Sequence, residues 1–238
     1  MRTIGLLGGM SWESTAVYYR LINQAVRDRL SGLHSADILL HSVNFDQVVQ
    51  LQRADRWDDA AALLGNSAAA LARAGADCVL ICTNTMHLVA DPVARLAGVP
   101  LLHIVDETGR ALAAAGLHRP LLLATRYTME QGFYTDRLRA SAGIEALVPN
   151  EADRADVHAV IFDELCQGIV RDESRDRMHA IIARGIAAGA DSVILGCTEI
   201  CLLLDPDRLA CPGVDSTAVH AAAAVDFALA DLAQKEAA

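Results

Sequence analysis

Two stretches of the chain end in small side chains capable of chemistry, and they align without a gap. Ala74-Gly75-Ala76-Asp77, Cys78-Val79-Leu80-Ile81 and Cys82-Thr83-Asn84 recur as Ala188-Gly189-Ala190-Asp191, Ser192-Val193-Ile194-Leu195 and Gly196-Cys197-Thr198. The alignment sets Thr83, not Cys82, opposite Cys197. Each apolar run reads as a buried strand that delivers its last residues to a loop where a helix is about to begin. A thiol so placed is a workable base if helix N-terminal dipoles or a cationic neighbour bring its pKa toward neutral. Thr198 and Glu199 offer a hydroxyl, a backbone N–H and a carboxylate; the N–H favours a thiolate and the carboxylate opposes it. Inverting a stereocentre at an amino-acid Cα needs a proton taken from one face and returned on the other. One group from each of two lobes suits that task, and Asn84, Thr85, Thr198 and the Gly9-Met10-Ser11 backbone are candidate donors to the charge that develops.

Other chemistries are set aside by composition. The only lysine is Lys235, so the Schiff base of a pyridoxal enzyme and the phosphate lysine of a Walker loop are both missing. No cofactor is expected. Gly5-x-x-Gly8-Gly9 lacks the G-x-G-x-x-G spacing of a dinucleotide turn. It reads instead as a tight turn with N–H groups at a helix start, suited to a carboxylate. Cys78, Cys82, Cys197 and Cys201 stand at two four-residue spacings, but a strand is too stretched to grip one ion with the first pair, and no Cys-x-x-Cys or His-x-x-x-His accompanies them. No metal is expected. A formal net charge of -10 argues against a nucleic-acid or anionic-membrane partner. The six cysteines lack the dense spacing of small secreted scaffolds, and no segment reads as a signal peptide or a membrane span. A cytoplasmic protein with reduced thiols is expected.

The elements that must position these residues alternate between strand and helix. Strands are expected at Thr3 to Leu7, Ile38 to Val43, Asp77 to Thr83, Leu101 to Val105, Leu121 to Ala124 and the run ending at Cys197, with a weaker one at Ile144 to Val148. Ser11 is an N-cap for a helix from Trp12. Asp106 and Asp215 read as N-caps of later helices, and Trp12 and Tyr19 as helix-packing residues. This pattern implies an α/β fold of two pseudo-symmetric lobes, each a mainly parallel sheet covered by helices. Residues 1–104 and 213–238 form the first lobe and 105–212 the second. Ligands of open parallel sheets bind beyond the carboxyl ends of strands, which places a site between the lobes with Thr83 and Cys197 at two such ends. Cys82, Cys166, Cys201 and Cys211 read as packing. His87 follows the first tip and is either a ligand-tuning group or a hydrogen-bonded cap; Arg53 and Arg126 are either carboxylate clamps or solvated charges.

Cys82-Thr83-Asn84-Thr85-Met86-His87, Gly196-Cys197-Thr198-Glu199, Gly8-Gly9-Met10-Ser11 and Thr125-x-x-Thr128 together resemble the aspartate/glutamate racemase family, over essentially the whole chain. The resemblance implies cofactor-independent racemisation of a small amino acid at an inter-lobe site, often in a homodimer. It makes Cys197 one acid/base and puts Asn84, Thr85, Thr125, Thr128 and Thr198 at substrate-holding positions. Met10, Ser11, Gln52 and Glu199 are further substrate-holding candidates. Aspartate, glutamate or a related small polar amino acid is the expected substrate. Two departures stand out: most of the family has cysteine where this chain has Thr83, and some aspartate racemases place a lysine in the helix that here reads Glu164-Leu165-Cys166-Gln167-Gly168. A hydroxyl is a poorer base than a thiolate, so Cys197 is expected to do the readily observed proton abstraction and Thr83 to act as donor or water relay. A lone Cys197 with Thr83 opposite also fits a lyase decarboxylating a malonate-like acid, and the two-lobed form fits a small-molecule binding module without turnover, against which the paired tips argue.

Overall fold

The computed structural model describes residues 1–236. The chain divides into two compact units, Met1–His103 together with the chain from His220, and Ile104–Val219. In order the elements are β1 (Ile4–Gly8), α1 (Trp12–Leu30), β2 (Ile38–Ser42), α2 (Phe45–Arg53), α3 (Trp57–Arg73), β3 (Cys78–Ile81), α4 (Ala90–Ala97) and β4 (Leu101–Leu102). There follow α5 (Ile104–Ala114), β5 (Pro120–Leu123), α6 (Arg126–Glu130), α7 (Phe133–Ala142), α8 (Glu151–Ala159), α9 (Asp172–Ala187), β6 (Ser192–Leu195), α10 (Ile200–Leu203), β7 (Gly213–Asp215) and α11 (Ser216–Glu236). All strand pairs are parallel, in the orders β2-β1-β3-β4 and β5-β6-β7. Among the described residues no helix is long and apolar enough to cross a membrane.

The central strands of the first sheet, β1 and β3, are buried on both faces, and the period of two sorts their side chains. Ile4, Leu6, Cys78, Leu80 and Cys82 pack with Tyr18, Ile22 and Val26 of α1 and Ala221, Ala224, Val225 and Ala228 of α11. Leu7, Val79 and Ile81 pack on the other face with Ala60, Leu64, Ala68 and Leu71 of α3 and Val93 and Ala97 of α4. In the second unit the residues of β5 and β6 join one cluster with α5, α7, α8 and α9.

The repeat seen in the sequence reappears as a repeat of hydrogen bonds. The Asp77 carboxylate accepts the backbone N–H of Thr3 at 2.7 Å, just before β1. Asp191 likewise accepts those of His118 and Arg119 at 2.7 and 2.8 Å, just before β5. Burial pushes the Asp191 carboxyl up, yet the bonds from Ser192, His118 and Arg119 together hold it below its ordinary range. Asp77 N–H donates to Thr3 and Val79 N–H to Pro100, as Asp191 N–H donates to Arg119 and Val193 N–H to Pro212.

Several expectations need correction. The strand from Leu101 stops at Leu102 and α5 already runs from Ile104, so Asp106 lies inside the first turn, where Arg137 grips it at 2.7 Å. Ile144 to Val148 contributes only a single bridge, Leu147 to Leu121. Val214-Asp215 ends strand β7 before α11 begins; Asp215 still caps that helix, accepting Thr217 N–H at 2.8 Å. Because β7 pairs with β6, residues 213–219, grouped above with the first lobe, stand in the second unit. Trp12 and Tyr19 are exposed at 68% and 53%: they occupy the outward side of α1, whose inward side is taken by Ser14, Thr15, Tyr18, Ile22 and Val26.

One buried polar pair makes the first unit sensitive to pH. His220 is fully buried; its Nε2 lies 2.8 Å from the Leu102 carbonyl, which can only accept, so Nε2 carries the proton. Nδ1 is then the acceptor for the Tyr18 hydroxyl at 2.8 Å. Burial holds this imidazole down to about 4, against an ordinary 6.5, with the Leu102 bond opposing in part. The unfolded chain takes up the proton near pH 6.5 and the folded protein only near 4. The contribution is therefore full above the unfolded value and declines by about 1.4 kcal/mol per pH unit as pH falls through that window. In urea unfolding between pH 7 and pH 4.5, the wild type is expected to lose stability more steeply than His220→Gln. Parallel pH slopes for the two would place the proton uptake elsewhere.

Candidate functional site

The candidate residues fall into two groups, one in each unit, and all but Gln52, which lies in α2, follow the carboxyl ends of parallel strands. Met10, Ser11, Gln52, Thr83, Asn84 and Thr85 belong to the first unit, and Thr125, Thr128, Cys197, Thr198 and Glu199 to the second.

In the first unit the tips after β1 and β3 run side by side, since Cys82 N–H donates to the Leu7 carbonyl at 2.9 Å. Gly9 must be glycine: its φ is +89°, and a Cβ there would meet the Val43 carbonyl oxygen at 2.2 Å. Its N–H, a donor candidate in the sequence, is occupied by Thr15 Oγ1 at 2.8 Å. Ser11 caps α1 by accepting from Ser14 N–H. Met10 is buried in one cluster with Met86, whose sulfur receives Gln52 Nε2 at 2.9 Å. Asn84 and Thr85 are buried at the start of a 3-10 turn, Thr85–Val89. Cys82 points into the α1 and α11 face, and burial drives its thiol far up. Thr83, the next residue, is partly exposed. Its N–H closes a tight turn on the Ile81 carbonyl at 2.8 Å. Its own carbonyl takes a hydrogen bond from His87 Nδ1 at 2.8 Å.

That His87 ring is one of three buried imidazoles, with His103 at a centroid distance of 4.6 Å and His220 at 5.6 Å. His87 thus anchors backbone at the first tip, the capping alternative of the two open in sequence. The clustering of His103 and His220 carried no local signal, because they come from distant segments.

In the second unit Gly196 N–H donates to the Leu123 carbonyl at 2.7 Å, which sets the Ala124-Thr125 and Gly196-Cys197 tips side by side. Thr125 and Thr128 are buried and their hydroxyls lie 3.2 Å apart. The Cys197 thiol donates to Glu199 Oε2 at 2.9 Å, and the Thr198 hydroxyl donates to the same oxygen at 2.7 Å. Burial, then the Glu199 charge and the bond to it, push this thiol well above its ordinary value, and Cys166 adds to the rise; only the Glu199 backbone N–H opposes. The carboxylate outweighs the helix-start N–H groups, and the resting group is a thiol. The helix that follows, α10, is a single turn, too short to build up much of a dipole.

Sequence reasoning missed a second thiol and carboxylate, Cys201 with Asp215. Their hydrogen bond, after burial, raises the thiol, and burial raises the carboxyl. It also missed the π-helical turn Val160–Glu164 after α8, which carries Glu164 to the Ser174 hydroxyl at 2.5 Å and to Arg177 at 3.3 Å. Arg53 and Arg126 are exposed. A cavity of 390 Å³ at the end of β2 is lined by His41, Ser42, Asn44, Gln47, Asn66 and Ser67 among others, none of them a candidate. Among the described residues no group of three or more His, Cys, Asp and Glu could hold a metal ion.

The likeness to known proteins spans the chain. A broad specificity amino-acid racemase, RacX, of Bacillus subtilis (strain 168) is 24% identical over 238 residues, covering 95% of this chain and 98% of that protein. The crystal structure of a candidate Asp/Glu racemase from Yersinia pestis is 49% identical, with a TM-score of 0.91, over 96% of this chain and 100% of the other. That of an aspartate racemase homologue from Pyrococcus horikoshii OT3 is 30% identical, with a TM-score of 0.84, over 96% and 99%. Residues 7–224 match the Asp/Glu/hydantoin racemase family, and the chain belongs to it.

Proposed function

We propose that the protein is a cofactor-independent amino-acid racemase that inverts Cα by two proton transfers, with Cys197 and Thr83 on opposite faces of the substrate. Aspartate, glutamate or a related small polar amino acid is the substrate. The observation that carries this reading is Cys197 itself, a partly exposed residue at the carboxyl end of a buried parallel strand, whose thiol is in hydrogen-bond contact with a carboxylate. Thr83 supports it by occupying the corresponding place after β3, the strand that matches β6 in length and in its hydrogen bonds. Around these, Asn84, Thr85, Thr125, Thr128 and Thr198, with Met10, Ser11 and Gln52, hold the substrate by hydroxyl, amide and backbone groups.

In this mechanism Cys197 removes the Cα proton from one face and the carbanion is neutralised from the other. The developing charge on the substrate carboxylate is stabilised by donors already in place, which cost no reorganisation at the moment of reaction. Thr83 is a poor base, because a hydroxyl holds its own proton so tightly that the alkoxide scarcely forms; it acts as a hydrogen-bond donor, or as a relay that takes up one proton as it passes another on. Enantiomers have equal free energy in water, so kcat/KM must be equal in the two directions. The inequality of the residues can appear only in kcat and KM taken separately, or as Cα exchange without inversion.

A racemisation screen of both enantiomers of all amino acids tests the reading, and turnover is expected for the acidic ones. Carbon dioxide release from substituted malonates in place of racemisation would make the enzyme a decarboxylase. Cys197→Ala is expected to lower Cα-deuterium exchange by at least about 10²-fold; exchange that survives removes Cys197 from the reaction. Deuterium wash-in from the two enantiomers is expected to proceed at unequal rates at saturation, the faster one using Cys197 as base. Equal rates would mean that Thr83 is not the weaker partner.

A further inference from the structure

Cys197 sits between two groups of one residue. The Glu199 carboxylate receives its S–H at 2.9 Å, while the Glu199 backbone N–H is bonded to the same sulfur. The Thr198 hydroxyl, at 2.7 Å from Oε2, fixes that oxygen beside the thiol. The titratable groups acting on the sulfur are Glu199, on its own loop, and Cys166, in the short turn after the π-helical segment.

We propose that Glu199 is the proton acceptor that ionises Cys197, so that sulfur and Oε2 hold one proton between them and Cys197 becomes a base by passing that proton across their hydrogen bond. The proposal deepens the racemase reading and rests on it. In the step the S–H bond breaks and an O–H bond forms on Glu199, with the single negative charge moving from carboxylate to sulfur. The thiolate then takes the Cα proton, and its S–H bond is restored. The pair then holds two protons, one on sulfur and one on Oε2, and Cys197 donates from that state: sulfur gives its proton to the carbanion and the Glu199 carboxylic acid returns the other to sulfur.

Four physical points support it. Both placements of the proton carry one negative charge, so burial penalises both and leaves the choice to local contacts. At rest the weaker acid keeps the proton, and a thiol is the weaker acid. An amino acid arrives with an ammonium group beside its Cα, and that cation favours charge on the sulfur that approaches Cα. The Glu199 N–H, already on the sulfur, stabilises the thiolate once formed. Glu199 therefore ionises Cys197 rather than holding the substrate.

The test is Glu199→Gln, whose amide oxygen still accepts from Cys197 and Thr198 but takes up no proton. Alkylation of Cys197 by iodoacetamide, followed on its own peptide by mass spectrometry across pH, is read beside Cα-deuterium exchange of L- and D-aspartate and glutamate. The alkylation midpoint is expected to fall below that of the wild type, because a negative charge beside sulfur is gone. Exchange is expected to fall by about 10²- to 10⁴-fold. A variant with more thiolate and less turnover cannot be explained by a merely structural or repulsive carboxylate. Exchange that is unchanged, or that rises with the thiolate fraction, would overturn the proposal. If Glu199→Gln fails to fold, Glu199→Asp carries the test: with the acceptor drawn back from sulfur, exchange slows and the midpoint still moves, while wild-type values of both overturn it. Should the wild type exchange no Cα proton at all, the racemase reading fails by itself. The alkylation comparison still tests the proposal separately, because an unmoved midpoint would show that Glu199 does not act on the sulfur and would overturn it.

Discussion

Register between parallel strands is the constraint on which everything at the two tips depends. A slip of one residue exchanges the faces of a strand, and at the end of β3 it would turn Cys82 outward and bury Thr83. The carboxylates of Asp77 and Asp191 oppose such a slip. Each stands one residue before a central strand and takes backbone N–H groups from the start of the neighbouring strand. A short polar side chain in a fixed place thus ties β1 to β3 and β5 to β6 at their beginnings. Four strand residues later the chain emerges with Thr83 on one tip and Cys197 on the other. The partition of β3 between two apolar clusters shows the same register read from its side chains.

Much of this was legible in the sequence because it rests on short-range rules. Runs such as Val193-Ile194-Leu195 can only be buried strands or helix cores, and their length and Gly-rich ends decide for strand. Ser11 before α1 and the glycines before β3 and β6 are local devices with local signals. What was not legible depends on competition between elements. Leu101 to Val105 has strand-like residues throughout, but its pairing with β3 covers only Leu101 and Leu102, and the unpaired remainder adopts the helix that Asp106 and Glu107 favour in a first turn. Trp12 and Tyr19 are large and apolar enough to pack, yet α1 has one inward side, and Ser14, Thr15, Tyr18, Ile22 and Val26 hold it. The π-helical turn at Val160–Glu164 has no sequence signal of its own, since one extra residue per turn is accommodated by what surrounds it.

The candidate site divides the same way. Which residues stand at the tips followed from the repeat; what their surroundings do to them did not. The sequence after Cys197 contains both a backbone N–H that favours a thiolate and a carboxylate that opposes it, and only geometry settles the contest. At 2.9 Å from sulfur, Glu199 prevails. The result is a thiol with a hydrogen-bonded acceptor, which is a different chemical object from a free thiolate. A permanent thiolate is open to alkylation and oxidation whenever solvent reaches it. A thiol that keeps its proton is protected at rest.

The two corresponding tips are also held by different means. At Thr83 the constraint is on the main chain: its N–H turns back to Ile81 and its carbonyl is pinned by His87, so the hydroxyl is positioned by its backbone. At Cys197 the constraint is on the side chain, through the bond from sulfur to Glu199. A hydroxyl keeps its proton at any physiological pH, so a fixed direction is the most that its surroundings can usefully supply. A thiol can change charge, and its surroundings must govern where the proton lies. The two halves present equal strands, and the oxygen and the sulfur at their ends receive unequal support.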